Sequence, residues 1–141
     1  MSVIPDSEFG QRVRRRLHED HLIWLTTVGF DGTPQPNPVW FLWEEDTETV
    51  LVYNAVKAAR LAHIAVRPHV SLNLETDADG DDVVVLIGTA ERPTGVPAPD
   101  QHQAYLTKYD EDIVRIGFDQ ARMAREFAEP VRITINRVRG F

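Results

Sequence analysis

Apolar and polar residues recur along this chain in two different periods, and each change of period marks a change of element. From Ser7 to Asp20 the apolar residues Phe9, Val13 and Leu17 return every four positions among arginines, which predicts an amphipathic helix. His21 to Val28 is rich in β-branched and aromatic residues, and Gly29-Phe30-Asp31-Gly32 carries turn chemistry, so a hairpin is expected with its second strand starting at Thr33. In that second strand Pro34, Pro36 and Pro38 alternate. Amides two residues apart point to the same side of a strand, so one edge lacks all three donors while Gln35, Asn37 and Val39 keep theirs on the other. The strand can pair on one side only, which leaves the opposite side to solvent, another segment or a ligand. Val39-Trp40-Phe41-Leu42-Trp43 continues it as a run too apolar for one wet face, and burial on both faces is expected.

After the acidic turn Glu44 to Glu48, Thr49 to Asn54 reads as a third strand. Leu61, Ile64 and Ala65 then form a short helical face that ends at Arg67, before Pro68. His69 to Glu75 and Val83 to Ala90 are two more strands around the acidic loop Asp77 to Asp82, which lacks the length and terminal glutamate of a calcium-binding loop. Pro93 to Pro99 reads as a connector, Asp100 to Tyr109 and Phe118 to Phe127 as helices, and Val131 to Val138 as a closing strand. The predicted fold is therefore mainly β, of the α+β kind. About six antiparallel strands form a small barrel with short peripheral helices, and residues 1–141 make one domain.

Composition narrows the chemistry. With 43% hydrophobic and 26% charged residues the chain has the make-up of a soluble globular domain. The absence of cysteine excludes disulfides, thiol nucleophiles, iron–sulfur clusters and cysteine-ligated zinc. No apolar run approaches a membrane span and the amino terminus lacks a signal-peptide plan, so a cytoplasmic protein with no membrane partner is expected. Fifteen basic against 22 acidic residues give a net charge of −7, which disfavours nucleic acid as a partner. There is no dinucleotide fingerprint, P-loop, nucleophile elbow or zinc-protease helix, and Ser2, Ser7 and Ser71 have no activating context. In His18-Glu19-Asp20-His21 the histidines fall at a helix end and leave on different elements, so no metal site is expected. Tyr105, Lys108 and Tyr109 read as residues covering a core rather than as a proton-donating cluster, and no catalytic side chain is identified.

The charge is unevenly spread. No acid occurs between Glu48 and Glu75, while that window holds Lys57, Arg60, His63, Arg67 and His69. Within it, Asn54-Ala55-Val56-Lys57-Ala58-Ala59-Arg60 spans the change from strand to helix. Asn54 is a candidate helix-initiating residue, and free amides at a helix start attract anions. Lys57 and Arg60 can face one anion, a guanidinium in bidentate fashion and an ammonium as a point charge, which suits a phosphorylated cofactor. A solvated helix face is the competing explanation of the same residues, and they do not decide between the two.

Several segments taken in order resemble a known family: Leu25-Thr26-Thr27-Val28-Gly29-Phe30-Asp31-Gly32-Thr33-Pro34, Pro38-Val39-Trp40-Phe41, Lys57-Ala58-Ala59-Arg60-Leu61, Pro68-His69-Val70-Ser71-Leu72 and Gly88-Thr89-Ala90-Glu91. They are similar to the pyridoxamine-phosphate-oxidase-like split-barrel superfamily, and within it to the flavin/deazaflavin oxidoreductases that use coenzyme F420. The resemblance covers about Leu22 to Arg92 and fades beyond. It implies a homodimer of split β-barrels with a cofactor groove at the subunit interface and a small-molecule substrate. Lys57 and Arg60 would bind the cofactor phosphate, Asn54 would support that loop, and Asn37, Pro38, Val39 and Trp40 would line the ring. It also implies hydride transfer to a small conjugated acceptor. Tyr53-Asn54 ahead of Lys57 is similar to the branch that binds flavin mononucleotide (FMN), so FMN is the alternative cofactor. A non-catalytic module binding a cofactor, haem or tetrapyrrole is the alternative to an enzyme.

Overall fold

A computed structural model describes all 141 residues. Helix α1 (Glu8–Glu19) is capped by Ser7, whose side chain accepts from the Gly10 amide, and it buries Val13 and Leu17. The strands are β1 (Ile23–Val28), β2 (Pro34–Val39), β3 (Leu42–Glu44), β4 (Thr49–Asn54), β5 (His69–Asn73), β6 (Val84–Glu91) and β7 (Glu129–Gly140). Helix α2 (Ala59–Val66) lies between β4 and β5, while α3 (Gln103–Arg115) and α4 (Gln120–Glu126) lie between β6 and β7.

All seven strands form one antiparallel sheet in the order β2-β1-β5-β6-β7-β4-β3. Its two edge strands, β2 and β3, follow one another in the chain and are separated only by Trp40 and Phe41. A link that short can join opposite edges only if the sheet curls until they approach, so the sheet is a barrel left open between β2 and β3. A register shift at Ile87/Gly88 in β6 adds to the bend. Gly88 is required there, because a Cβ would stand 2.6 Å from both the Ile133 side chain and the Thr134 carbonyl oxygen.

Two apolar clusters occupy opposite faces of this sheet. The larger has 20 buried residues, among them Val13 and Leu17 of α1, Leu25, Val50, Val52, Leu72, Leu86 and Ile133 of the strands, and Ile64 of α2. The smaller packs Tyr105, Tyr109 and Ile113 of α3 and Met123 of α4 onto Leu42, Leu51 and Tyr53. Every residue of β4 is consequently buried, with Val50 and Val52 facing one cluster and Leu51 and Tyr53 the other.

The proline strand behaves as its alternation requires. β2 is an edge that pairs with β1 alone, and Pro34 to Pro38 are all exposed. The run from Val39 to Trp43 does take both faces, with Val39, Phe41 and Trp43 in the larger cluster and Leu42 in the smaller. It is not one strand, however. The Phe41 amide donates to the Tyr109 hydroxyl (2.8 Å), and the Phe41 carbonyl accepts from Tyr109 (2.9 Å) and from Lys108 Nζ (2.9 Å). With both main-chain groups held by α3, Phe41 cannot join a ladder, and the run divides into β2 and β3. That break accounts for seven strands where six were expected.

Helix α3 also runs past the expected Tyr109 to Arg115, because Ile113 continues the spacing of Tyr105 and Tyr109. No helix is long and apolar enough to cross a membrane.

Candidate functional site

β4 ends at Asn54, which is fully buried. Its amide nitrogen donates to the carbonyls of Val52 (3.1 Å) and Glu129 (3.0 Å), so its oxygen is aimed outward, where it accepts from Arg60 Nε at 2.5 Å. The helix-initiating role expected of Asn54 is thereby corrected. α2 begins five residues later, at Ala59, with Ala58 as an N-cap that offers no side-chain bond. Asn54 cannot serve α2 because it is paired with Glu129 in the β4–β7 ladder and its side chain is committed to Arg60.

Arg60 is half-buried and has no carboxylate beside it; burial alone lowers its pKa. This sets it apart from the half-buried arginines of α1, where Arg12 pairs with Asp82, Arg14 with Glu45 and Arg16 with Asp20. A guanidinium drawn partly out of water without a counter-ion is costly unless something else neutralises it. Lys57 stands exposed on the turn before α2, in the same acid-free window.

Arg60 is the one charged residue lining an apolar cleft of about 300 Å³. Pro38, Val39 and Trp40 form one wall, Tyr53 and Tyr105 another, and Ile116, Met123 and Phe127 the third. Trp40 stacks on Tyr109 with ring centroids 4.8 Å apart and planes 5° from parallel, and Tyr109 meets Tyr105 at 4.9 Å, which meets Tyr53 at 4.9 Å. The single hydroxyl hydrogen of Tyr109 is shared between the carbonyls of His21 (2.7 Å) and Phe41 (2.9 Å), and Tyr53 donates to that of Pro97 (2.6 Å). Burial pushes Tyr53 up to about 12 and raises Tyr109 as well, so both phenols stay protonated.

Of the residues expected at a site, the structure thus brings Pro38, Val39, Trp40 and Arg60 to one cleft, with Asn54 behind Arg60. Asn37, opposite Leu25 in β2, and Lys57 lie outside the cleft lining. Sequence reasoning missed Tyr53, Tyr105, Ile116, Met123 and Phe127 as lining residues. The four-residue spacing of Tyr105, Tyr109 and Ile113 was the available signal. His18 and His21 do diverge, His18 toward Glu45 and His21 onto Asp112 at 2.5 Å.

Lys108 serves the cleft from behind. Its ammonium donates to the Phe41 carbonyl and lies 3.8 Å from the Phe41 ring centroid, so it holds the link that carries Trp40. Burial lowers its pKa to about 8. Between about pH 8 and the ordinary lysine value of 10.5 the unfolded chain therefore binds more protons than the folded one, and stability from this group rises with pH. Urea melts from about pH 7 to about 9.5 should show that rise in the wild type and lose it in Lys108→Met. A rise of equal size in the variant would contradict the assignment.

The sequence profile of pyridoxamine 5'-phosphate oxidase matches residues 9–140. This chain belongs to that family. No curated protein matches it. Among solved structures, an F420 reductase is 24% identical with a TM-score of 0.68, covering 89% of this chain and 94% of its own. HutZ, a haem storage protein of Vibrio cholerae, is 13% identical with a TM-score of 0.64 and covers 95% of each chain. An FAD-binding protein of Mesorhizobium loti is 15% identical with a TM-score of 0.64, covering 91% of this chain and 88% of its own. These likenesses establish the fold as that of the family.

Proposed function

We propose that this protein is a cytoplasmic oxidoreductase that uses coenzyme F420, a deazaflavin carrying a phosphate, to reduce a small conjugated organic molecule. Arg60 carries the reading: a half-buried cation with no carboxylate, aimed by a buried asparagine, beside an apolar aromatic cleft. That donor set fits a phosphate with a planar ring attached. Arg60 and Lys57 would take the phosphate, and Pro38, Val39 and Trp40, with the main chain around Asn37, would flank the ring. The bound deazaflavin supplies the hydride. The chain's contribution is placement and exclusion of water, and no carboxylate, histidine or lysine lines the cleft. The F420 reductase of like fold supports the reading.

FMN is the second reading, because it too joins a planar ring to a phosphate, and the FAD-binding protein of like fold favours it. A haem- or tetrapyrrole-binding module is the third, favoured by HutZ, although no histidine lines this cleft to ligate iron. The test is to incubate the protein with reduced F420 and a panel of quinones, enones and bilins. Oxidation of the cofactor that needs both protein and acceptor is expected. Binding without oxidation would favour the module, and a protein that purifies with an oxidised-flavin spectrum would favour FMN.

The reading includes a homodimer with the cofactor groove at the subunit interface. The exposed proline edge and the exposed apolar residues Phe30, Val56 and Val66 offer the surface for it. Light scattering at micromolar concentration should give twice the 16.0 kDa chain mass, and a stable monomer would contradict the shared groove.

A further inference from the structure

Three phenols stand side by side, Tyr53 and Tyr105 lining the cleft and Tyr109 behind them, and two of the three are committed. Tyr109 donates to main-chain carbonyls and accepts from the Phe41 amide, and Tyr53 donates to the Pro97 carbonyl. Tyr105 differs. It is 1% exposed, it lines the cleft, and its hydroxyl makes no hydrogen bond within the chain; its only such bond beyond the helix ladder runs from its main-chain amide to His102 Nδ1. The fully enclosed side-chain polar atoms left without a partner belong to Arg12 and Asp82, so the Tyr105 oxygen opens onto the cleft, and an occupant that covers it must supply an acceptor or leave it unpaired at a cost in free energy. Burial, with smaller effects from Tyr109, Tyr53 and Asp112, raises the phenol's pKa, so at neutral pH the group is a donor and not an anion.

The geometry points to Tyr105 as the hydrogen-bond donor of the cleft, taking a carbonyl oxygen on a planar conjugated occupant. The aromatic lining of Trp40, Tyr53 and Tyr105, backed by Tyr109, suits a flat ring, and the apolar side chains of Ile116, Met123 and Phe127 suit a neutral one. A site with one unpaired donor rejects analogues that lack the matching acceptor, because binding them leaves the donor buried and unpaired. Tyr105 therefore selects carbonyl compounds over hydrocarbons of the same shape. The oxygen can come from the organic acceptor or from the cofactor's own ring, and this step rests on the cleft being the site of the proposed reaction.

The test uses menadione, a methylated naphthoquinone without phosphate, and 2-methylnaphthalene, which keeps the fused rings and lacks the oxygens. Quenching of tryptophan fluorescence reports binding, because Trp40 forms a cleft wall. Wild type should bind the quinone about 10-fold more tightly than the hydrocarbon, and Tyr105→Phe should remove most of that difference by weakening the quinone alone. An unchanged quinone affinity in the variant would overturn the proposal. So would a lowered melting temperature, since it would show that the hydroxyl serves the fold. A parallel titration with F420 separates the sources: unchanged affinity in Tyr105→Phe assigns the oxygen to the acceptor, and a matching loss assigns it to the cofactor ring. A wild type that binds menadione through Tyr105 but never F420 would remove the cofactor reading and leave this one standing.

Discussion

Replacing Lys57 and Arg60 together with alanine should weaken F420 binding about 100-fold, with most of the loss coming from Arg60. The guanidinium is half-buried and uncompensated, so its bonds to a phosphate form in a partly desolvated setting, where charge-assisted hydrogen bonds are worth about 1.5–3 kcal/mol. Lys57 is exposed on its turn and contributes a screened point charge, worth less and more sensitive to salt. Arg60→Lys should not restore affinity. An ammonium lacks the fork that lets one nitrogen donate to Asn54 while the others face the ligand. Fluorescence titration measures both, and a double variant that binds as tightly as wild type would end the phosphate assignment.

Asn54→Ala should cost about 2–3 kcal/mol of stability and weaken cofactor binding about 10-fold. Removing the amide deprives the Val52 and Glu129 carbonyls of their donor in a fully buried position, and it frees Arg60 to sample rotamers that miss the ligand. The two effects separate in a double-mutant cycle. If Asn54 acts through Arg60, adding Asn54→Ala to an Arg60→Ala background should lower stability as before and change cofactor affinity by less than about 2-fold. An equal further loss of affinity would mean that Asn54 touches the cofactor itself. Denaturant melts give the first quantity and titration the second.

Where local pattern and tertiary structure agree, the sequence was enough to read the fold. Phe9, Val13 and Leu17 place α1, and the prolines at 34, 36 and 38 make β2 an edge whatever surrounds it, because a missing donor is a covalent fact. The errors arise where a distant residue decides. Nothing near Phe41 says that Tyr109 and Lys108 will hold both its main-chain groups, 68 and 67 positions away, and so end β2. The helix-start reading of Asn54 failed in the same way, since Glu129 reaches it from the far end of the chain. Arg60 was legible as a cation in an acid-free window, but its burial and its bond to Asn54 distinguish it from a solvated helix residue, and those are properties of packing. Ile116, Met123 and Phe127 carry no chemical signature. Only the docking of α3 and α4 against β4 makes them a wall.

The central claim is that this fold holds a phosphate-bearing deazaflavin in the cleft between Trp40 and Arg60. Titration of the purified protein with F420 and, separately, with FMN and haem, followed by tryptophan fluorescence, tests it most directly. The account predicts saturable F420 binding at micromolar concentration or below, tighter than FMN and competed by neither haem nor nucleic acid. Failure of F420 to bind, with saturable binding of FMN or haem in its place, would contradict it.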